Sequence, residues 1–156
     1  MLTVLALFAC IGAGTVGGVF FAFAAFVMKA LAQVPASQGI AAMQRVNIVV
    51  LNPVFLGVFL GTAVLTAGCA VASFFPWSEP RSHLLLASGL FYLAGTFLVT
   101  ALFNVPRNER LARLDNESPE AAAYWPLYVR EWSTWNHLRT AASVASAACS
   151  AAALAN

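Results

Sequence analysis

Four long apolar stretches, separated by short polar ones, leave this chain few folds to choose from. They read as spans of about residues 2–28, 53–75, 84–103 and 135–154, each near the ~20 residues that cross a bilayer core. Hydrocarbon offers backbone amides no partner, so segments of this length must pair their own and become helices. With 61% of residues hydrophobic and 9% charged, the chain sits with integral membrane proteins before any motif is read. The first stretch lacks a basic leader, and its apolar run is about twice the ~7–15 residues of a signal peptide, so it reads as a span. The fourth is mostly Ala and Ser and is expected to pack inside the bundle. The expected fold is all-α: an up-down-up-down four-helix membrane bundle, one domain over residues 1–156.

Lys and Arg set the expected orientation. Lys29 and Arg45 lie in the first connection and Arg107, Arg110, Arg113 and Arg130 in the third, against Arg81 alone in the second. By the positive-inside rule, connections one and three face the cytoplasm and both termini lie outside. A formal charge of +2 with no basic stripe gives no reason to expect nucleic acid. Cys10, Cys69 and Cys149 fall within spans, and an odd count at membrane depth reads as small apolar side chains rather than a disulfide framework.

The connections carry helical signals of their own. Ser37 reads as the N-cap of a helix over about residues 38–50, in which Ile40, Met43, Val46 and Val50 recur at helical spacing with Gln44, Arg45 and Asn47 between them. That pattern suits an amphipathic helix lying at the membrane interface. Asn52-Pro53 reads as N-cap plus proline at the first helical position, a structural role that competes with a ligand-binding one. Asn104-Val105-Pro106 is expected to close span three, and Ser118-Pro119-Glu120 to open a further helix bent at Pro126. Trp125, Tyr128, Trp132 and Trp135 recur at i, i+3, i+7 and i+10, one aromatic stripe that is either an interfacial belt or a wall for a flat ring. Gly14 with Gly18, and Gly57 with Gly61, form GxxxG pairs, which bring helices close within one chain or between chains of a homo-oligomer.

The polar residues gather at one end of this bundle. Lys29, Asn47, Asn52, Asn104, Asn108, Asn136, His137 and Arg139 all fall where spans one and three end and spans two and four begin. Buried polar groups are expensive in lipid, so such a cluster needs a reason. At ~100° per residue, Asn136, Arg139, Ser143, Thr140, His137 and Trp132 share an arc of about 160°, with Leu138, Ala141, Ala142 and Ala145 opposite. His137 and Arg139 stand at the two edges of that arc, so a rotation of the helix leaves only one of them facing inward. On span three, Phe97, Thr100 and Asn104 share a face that Asn108 joins if the helix continues. His137 is alone at this mouth, His83 lying at the other side and no carboxylate within a span, so a metal site is not expected. The same separation excludes a haem held by both histidines; a single axial histidine is left open. What remains is one imidazole, one guanidinium and several amides beside aromatic rings. That set suits either deprotonation of an apolar acid with stabilisation of its anion, or a cap-and-belt network sealing the bundle.

At these residues the chain resembles the anthrone-oxygenase-like family of small four-span membrane proteins. The likeness lies in the Phe-rich Gly18–Met28 run, Gln38-Gly39-Ile40-Ala41-Ala42-Met43-Gln44 and Leu51-Asn52-Pro53. It continues in Gly95-Thr96, Phe103-Asn104-Val105-Pro106-Arg107-Asn108 and Trp135-Asn136-His137-Leu138-Arg139-Thr140. The resemblance implies oxidation of an anthrone-like apolar aromatic substrate to a quinone with O₂ as co-substrate and no other cofactor, in a bacterial inner membrane. His137 is then the expected general base, with Arg139, Asn136 and Asn104 stabilising the oxyanion. Trp132, Trp135, Asn108, Asn52, Thr140 and Phe97 are the expected substrate contacts, and the membrane supplies the substrate. Two other classes stand beside this one: a non-catalytic module binding a membrane lipid, quinone or partner helix, and a haem- or quinone-linked redox protein.

Overall fold

The structure, a computed structural model that describes residues 2–75 and 80–156, is an all-α membrane bundle. Five helices build it: α1 (Leu2–Gln33), α2 (Ala36–Val49), α3 (Pro53–Ala72), α4 (Pro80–Ala112) and α5 (Pro119–Ala155). All but α2 are long and apolar enough to cross a membrane. Consecutive spans are neighbours, and α5 closes the square against α1 along the most extensive seam.

Without a hydrophobic drive between helices in lipid, close approach must come from small side chains and hydroxyls. Each of the four seams has a glycine at its tightest point. A Cβ on Gly12 would collide with Thr62 across α1–α3, and one on Gly89 would meet the Ala70 Cβ at 2.7 Å across α3–α4. One on Gly95 would meet the Ala142 Cβ at 2.5 Å across α4–α5, and one on Gly17 the Ser143 Cβ at 3.2 Å across α5–α1. Hydroxyls lock the α4–α5 seam: the Ser88 hydroxyl lies 2.7 Å from that of Ser150 and 3.0 Å from that of Ser146, and Thr96 lies 2.8 Å from Ser143. The GxxxG glycines are different. A Cβ on Gly14, Gly18, Gly57 or Gly61 would meet nothing within 4 Å, so none of the four serves packing within the chain.

Helices α1, α4 and α5 overshoot the apolar stretches at one end and build a second storey there with α2. At ~1.5 Å per residue the 37 residues of α5 extend about 55 Å, well beyond a core of roughly 30 Å. The storey's interior is Met28, Ile40, Met43, Leu111, Tyr124, Trp125, Tyr128 and Trp132. Gln44 ties α2 down by donating from Nε2 to the Leu111 and Leu114 carbonyls at 2.8 and 2.9 Å, which also caps the end of α4.

Three expectations fail here for physical reasons. Pro106 does not end the third span. The turn before it, Thr100–Asn104, is π-helical, Val105 N–H reaching back to Thr100 O, and the wider turn admits the ring that an α-helix would reject. The side chain of Arg107 then satisfies the Phe103 carbonyl at 2.7 Å. Ser37 is not an N-cap; α2 begins at Ala36, after Pro35. The aromatic stripe is not a belt, since Trp125, Tyr128 and Trp132 are buried and stacked in sequence, with Trp135 turned away about 80° from Trp125 around the helix. Asn52 and Ser118 do cap their helices, the former accepting from Val54 N and Phe55 N at 3.0 Å each.

The seam glycines give a test of this packing. Gly95→Ala is expected to destabilise the folded state in detergent by about 1–3 kcal/mol through overpacking, while Gly61→Ala stays within ~0.5 kcal/mol of the parent. Equal unfolding midpoints for the two variants would count against the α4–α5 seam as drawn.

Candidate functional site: a buried cation facing an apolar cavity

Where the two storeys meet, the helices part around a cavity of about 450 Å³. Phe20 and Phe23 wall it from α1, Phe55 and Phe59 from α3, and Trp132 from α5. Helix α2 covers its end with Met43, Gln44 and Asn47, and α4 supplies Thr100, Asn108 and Glu109. Ile48 and Leu51, 63% and 65% exposed, also line it, so the cavity opens toward the apolar surroundings at the α2–α3 turn. A pocket of this size with mostly apolar walls and a few polar groups suits a small organic ligand.

The polar group that matters is Arg139, which lines the cavity while only 5% exposed. Its Nε donates to Asn136 Oδ1 at 3.0 Å, and Nη1 donates to Thr100 Oγ1 at a long 3.4 Å. The guanidinium carbon stands 4.0 Å from the Phe20 ring centroid and 4.8 Å from that of Trp132. No hydrogen bond from Nη2 is made among the described residues, and the ion pair found there, Arg107–Glu131 at 2.9 Å, lies elsewhere. Two cation–π contacts contribute roughly 1–4 kcal/mol together, whereas a buried charge without a partner costs about 3–5 kcal/mol. The site therefore holds a cation short of an anion.

The surrounding residues hold that cation in place. Asn136, fully buried, donates from Nδ2 to the Phe20 carbonyl at 2.9 Å and so joins α5 to α1 while its oxygen orients Arg139. Thr100 donates to the Thr96 carbonyl at 2.7 Å, which leaves its oxygen to face Nη1. Asn108 accepts from the Tyr128 hydroxyl at 2.9 Å. The Asn47 amide lies beside that hydroxyl, but its Nδ2 finds no partner in hydrogen-bond geometry.

Of the residues singled out from sequence, the cavity brings together Arg139, Trp132, Asn108, Asn47 and Thr100, with Asn136 directly behind Arg139. Asn104 is buried one layer away and donates to the Trp132 carbonyl at 3.3 Å, its Oδ1 unpaired. His137 is exposed on the outer face of α5 and is not part of the wall. The reason is phase: the buried stripe of α5 is centred nearer Trp132, Arg139 and Ala142, because Gly95 leaves a hollow that draws Ala142 inward. Trp135 stacks on Phe103 with centroids 3.7 Å apart, outside the cavity. Asn52 is spent as a cap, Thr140 bonds back to the Asn136 carbonyl, and Phe97 stacks on Phe59 from behind. Sequence reasoning missed Phe20, Phe23, Phe55, Phe59, Gln44 and Glu109. The Phe-rich runs and the polar side of α2 were visible as signals, but nothing local said which way they faced.

The chain matches the anthrone oxygenase family over residues 55–149, more than half its length. It belongs to that family. No curated protein and no solved structure matches it. The family match includes Thr100, Asn108, Glu109, Trp132 and Arg139, while Phe20, Phe23 and the α2 cover precede it.

An unneutralised cation in an aromatic cavity should select flat anions. Titrating this family member in nanodiscs with a hydroxyanthraquinone, followed by quenching of tryptophan emission, is expected to saturate. Arg139→Gln is expected to weaken binding about tenfold or more, roughly 1.4 kcal/mol, and His137→Ala to leave it within about twofold. Identical affinity in the parent and Arg139→Gln would remove the cation from the ligand site.

Proposed function

We propose that this membrane protein is an oxygenase that converts an anthrone-like, fused-ring aromatic ketone to its quinone with O₂. One observation carries the reading: in a chain of this family, Arg139 lies unneutralised between two aromatic rings on the wall of a cavity open to the apolar side. A ketone of this class carries an acidic benzylic C–H. Loss of that proton moves the electron pair onto the carbonyl oxygen and gives an electron-rich enolate.

Arg139 stabilises that oxyanion through Nη2, and in a water-poor cavity such a contact acts far more strongly than in solvent. Phe20 and Trp132 hold the ring plane, and Asn136 fixes the guanidinium. O₂ and substrate, both apolar, partition from the membrane through the opening beside Ile48 and Leu51. The enolate carbon bonds to O₂ and, after protonation, becomes a hydroperoxide. Elimination of water from it leaves the second carbonyl, so the balance is substrate plus O₂ to quinone plus water. The excess of Lys and Arg at the α2 end supports, by the positive-inside rule, a cavity near the cytoplasmic headgroups of a bacterial inner membrane.

Oxygen uptake by the chelator-treated protein with an anthrone is the test. The parent is expected to consume one O₂ per quinone formed. Arg139→Gln should lower kcat/KM by about 100- to 1,000-fold, the range for loss of one oxyanion donor, and His137→Ala should turn over like the parent. Saturable binding without oxygen uptake would instead support a module that carries an aromatic anion or quinone.

A further inference from the structure

Enolate formation needs a group that takes the proton, and the cavity wall offers few. The Arg139 guanidinium is a donor with no acceptor site, Thr100 and Trp132 are donors without basicity at neutral pH, and Gln44, Asn47 and Asn108 are amides. The remaining ionisable side chain on the wall is Glu109, from α4. It has no hydrogen bond or ion pair among the described residues, unlike Glu131, which Arg107 neutralises at 2.9 Å. Glu109 also lines a second, outer groove of about 400 Å³ formed by Pro106, Arg110, Arg113, Leu114 and Glu120. It is the side chain shared by the apolar cavity and a charged surface groove.

Its direction suits the task. Helical side chains tilt toward their own N-terminus. Helix α4 runs toward the α2 end and α5 away from it, so Glu109, exposed at the boundary of cavity and groove, leans along its helix toward the level of Arg139, and Arg139 leans toward the level of Glu109. Thr100, the hydrogen-bond partner of Arg139, lies nine residues before Glu109, about 13 Å along the helix. A flat ligand whose short axis, from carbonyl to acidic C–H, runs along this direction meets the cation at its oxygen and the carboxylate at its C–H.

We propose that Glu109 is the proton acceptor of this site, taking the acidic C–H proton of the anthrone-like substrate. The proposal rests on the oxygenase reading above and deepens it. The C–H bond breaks, an O–H bond forms on the Glu109 carboxylate, and the electron pair passes through the ring to the oxygen held by Arg139. The proton then leaves through the outer groove, past Arg110, Arg113 and Glu120.

Anaerobic hydrogen–deuterium exchange separates this step from oxygenation. Intact protein in nanodiscs, mixed with anthrone in D₂O without O₂, is followed by NMR of the benzylic protons. The parent is expected to accelerate exchange over buffer. Glu109→Gln should lower that rate about 100-fold or more, as for a lost general base, and Glu109→Asp should keep a part of it. Saturable binding of a hydroxyanthraquinone, which has no benzylic proton, reports whether Glu109→Gln is folded and so separates proton transfer from folding. Exchange in Glu109→Gln at the parent's rate overturns the assignment while leaving the oxygenase reading to stand on oxygen uptake. Exchange lost in Glu109→Gln, in a protein that takes up no oxygen, supports the base and overturns the oxygenase. A parent that does not accelerate exchange overturns the proton-acceptor role outright.

Discussion

The guanidinium of Arg139, enclosed at the level where the two storeys meet and, among the described residues, without a carboxylate against it, constrains everything around it. A charge in that position must be held by dipoles and π faces or be neutralised. Asn136, Thr100, Phe20 and Trp132 do the holding, and they come from α5, α4 and α1. Three helices are therefore tied to one cation. The space beside it is walled by Phe20 and Phe23 of α1 and by Phe55 and Phe59 of α3, and Phe59 is backed in turn by Tyr92 and Phe97 of α4.

The division of labour along the bundle follows. Toward the termini the seams are dry and tight, with glycine against alanine or threonine and a ladder of serine hydroxyls. Near the cavity the helix geometry changes. Phe23–Val27 in α1 and Phe91–Leu98 and Thr100–Asn104 in α4 are π-helical. Such turns recur at functional sites because they rotate the residues beyond them relative to an α-helical register. Here they set Thr100 against Arg139 and carry α4 on through Pro106, so that Asn108 and Glu109 reach the cavity.

The four spans, their order and the capping of α3 and α5 were legible because each depends on local sequence: apolar length, Asn52-Pro53 and Ser118-Pro119. The grouping of Asn136, Trp132 and Arg139 on one face was legible too, as polar and aromatic residues where a span begins. What could not be read was phase. His137 and Arg139 are two residues apart, about 200° around a helix, and only tertiary packing decides which turns inward. The contact of Ala142 with Gly95 decides it for Arg139. The π turns were equally hidden, since no hydrophobic period announces an i+5 bond, and with them went the reading of Pro106 as a stop. Glu109 fell beyond that supposed stop and outside the apolar stretches. Gln44 reads from sequence as the wet side of an interfacial helix, whereas α2 turns it toward the bundle, beside Asn47 of the expected polar mouth.

The most direct measurement is an experimental structure of the protein in a lipid nanodisc with a hydroxyanthraquinone bound. The ligand oxygen is expected within about 3 Å of Arg139 Nη2, with the ring plane between Phe20 and Trp132. A map in which the ligand sits elsewhere while Arg139 is paired with a carboxylate, or turned out to lipid, would contradict it.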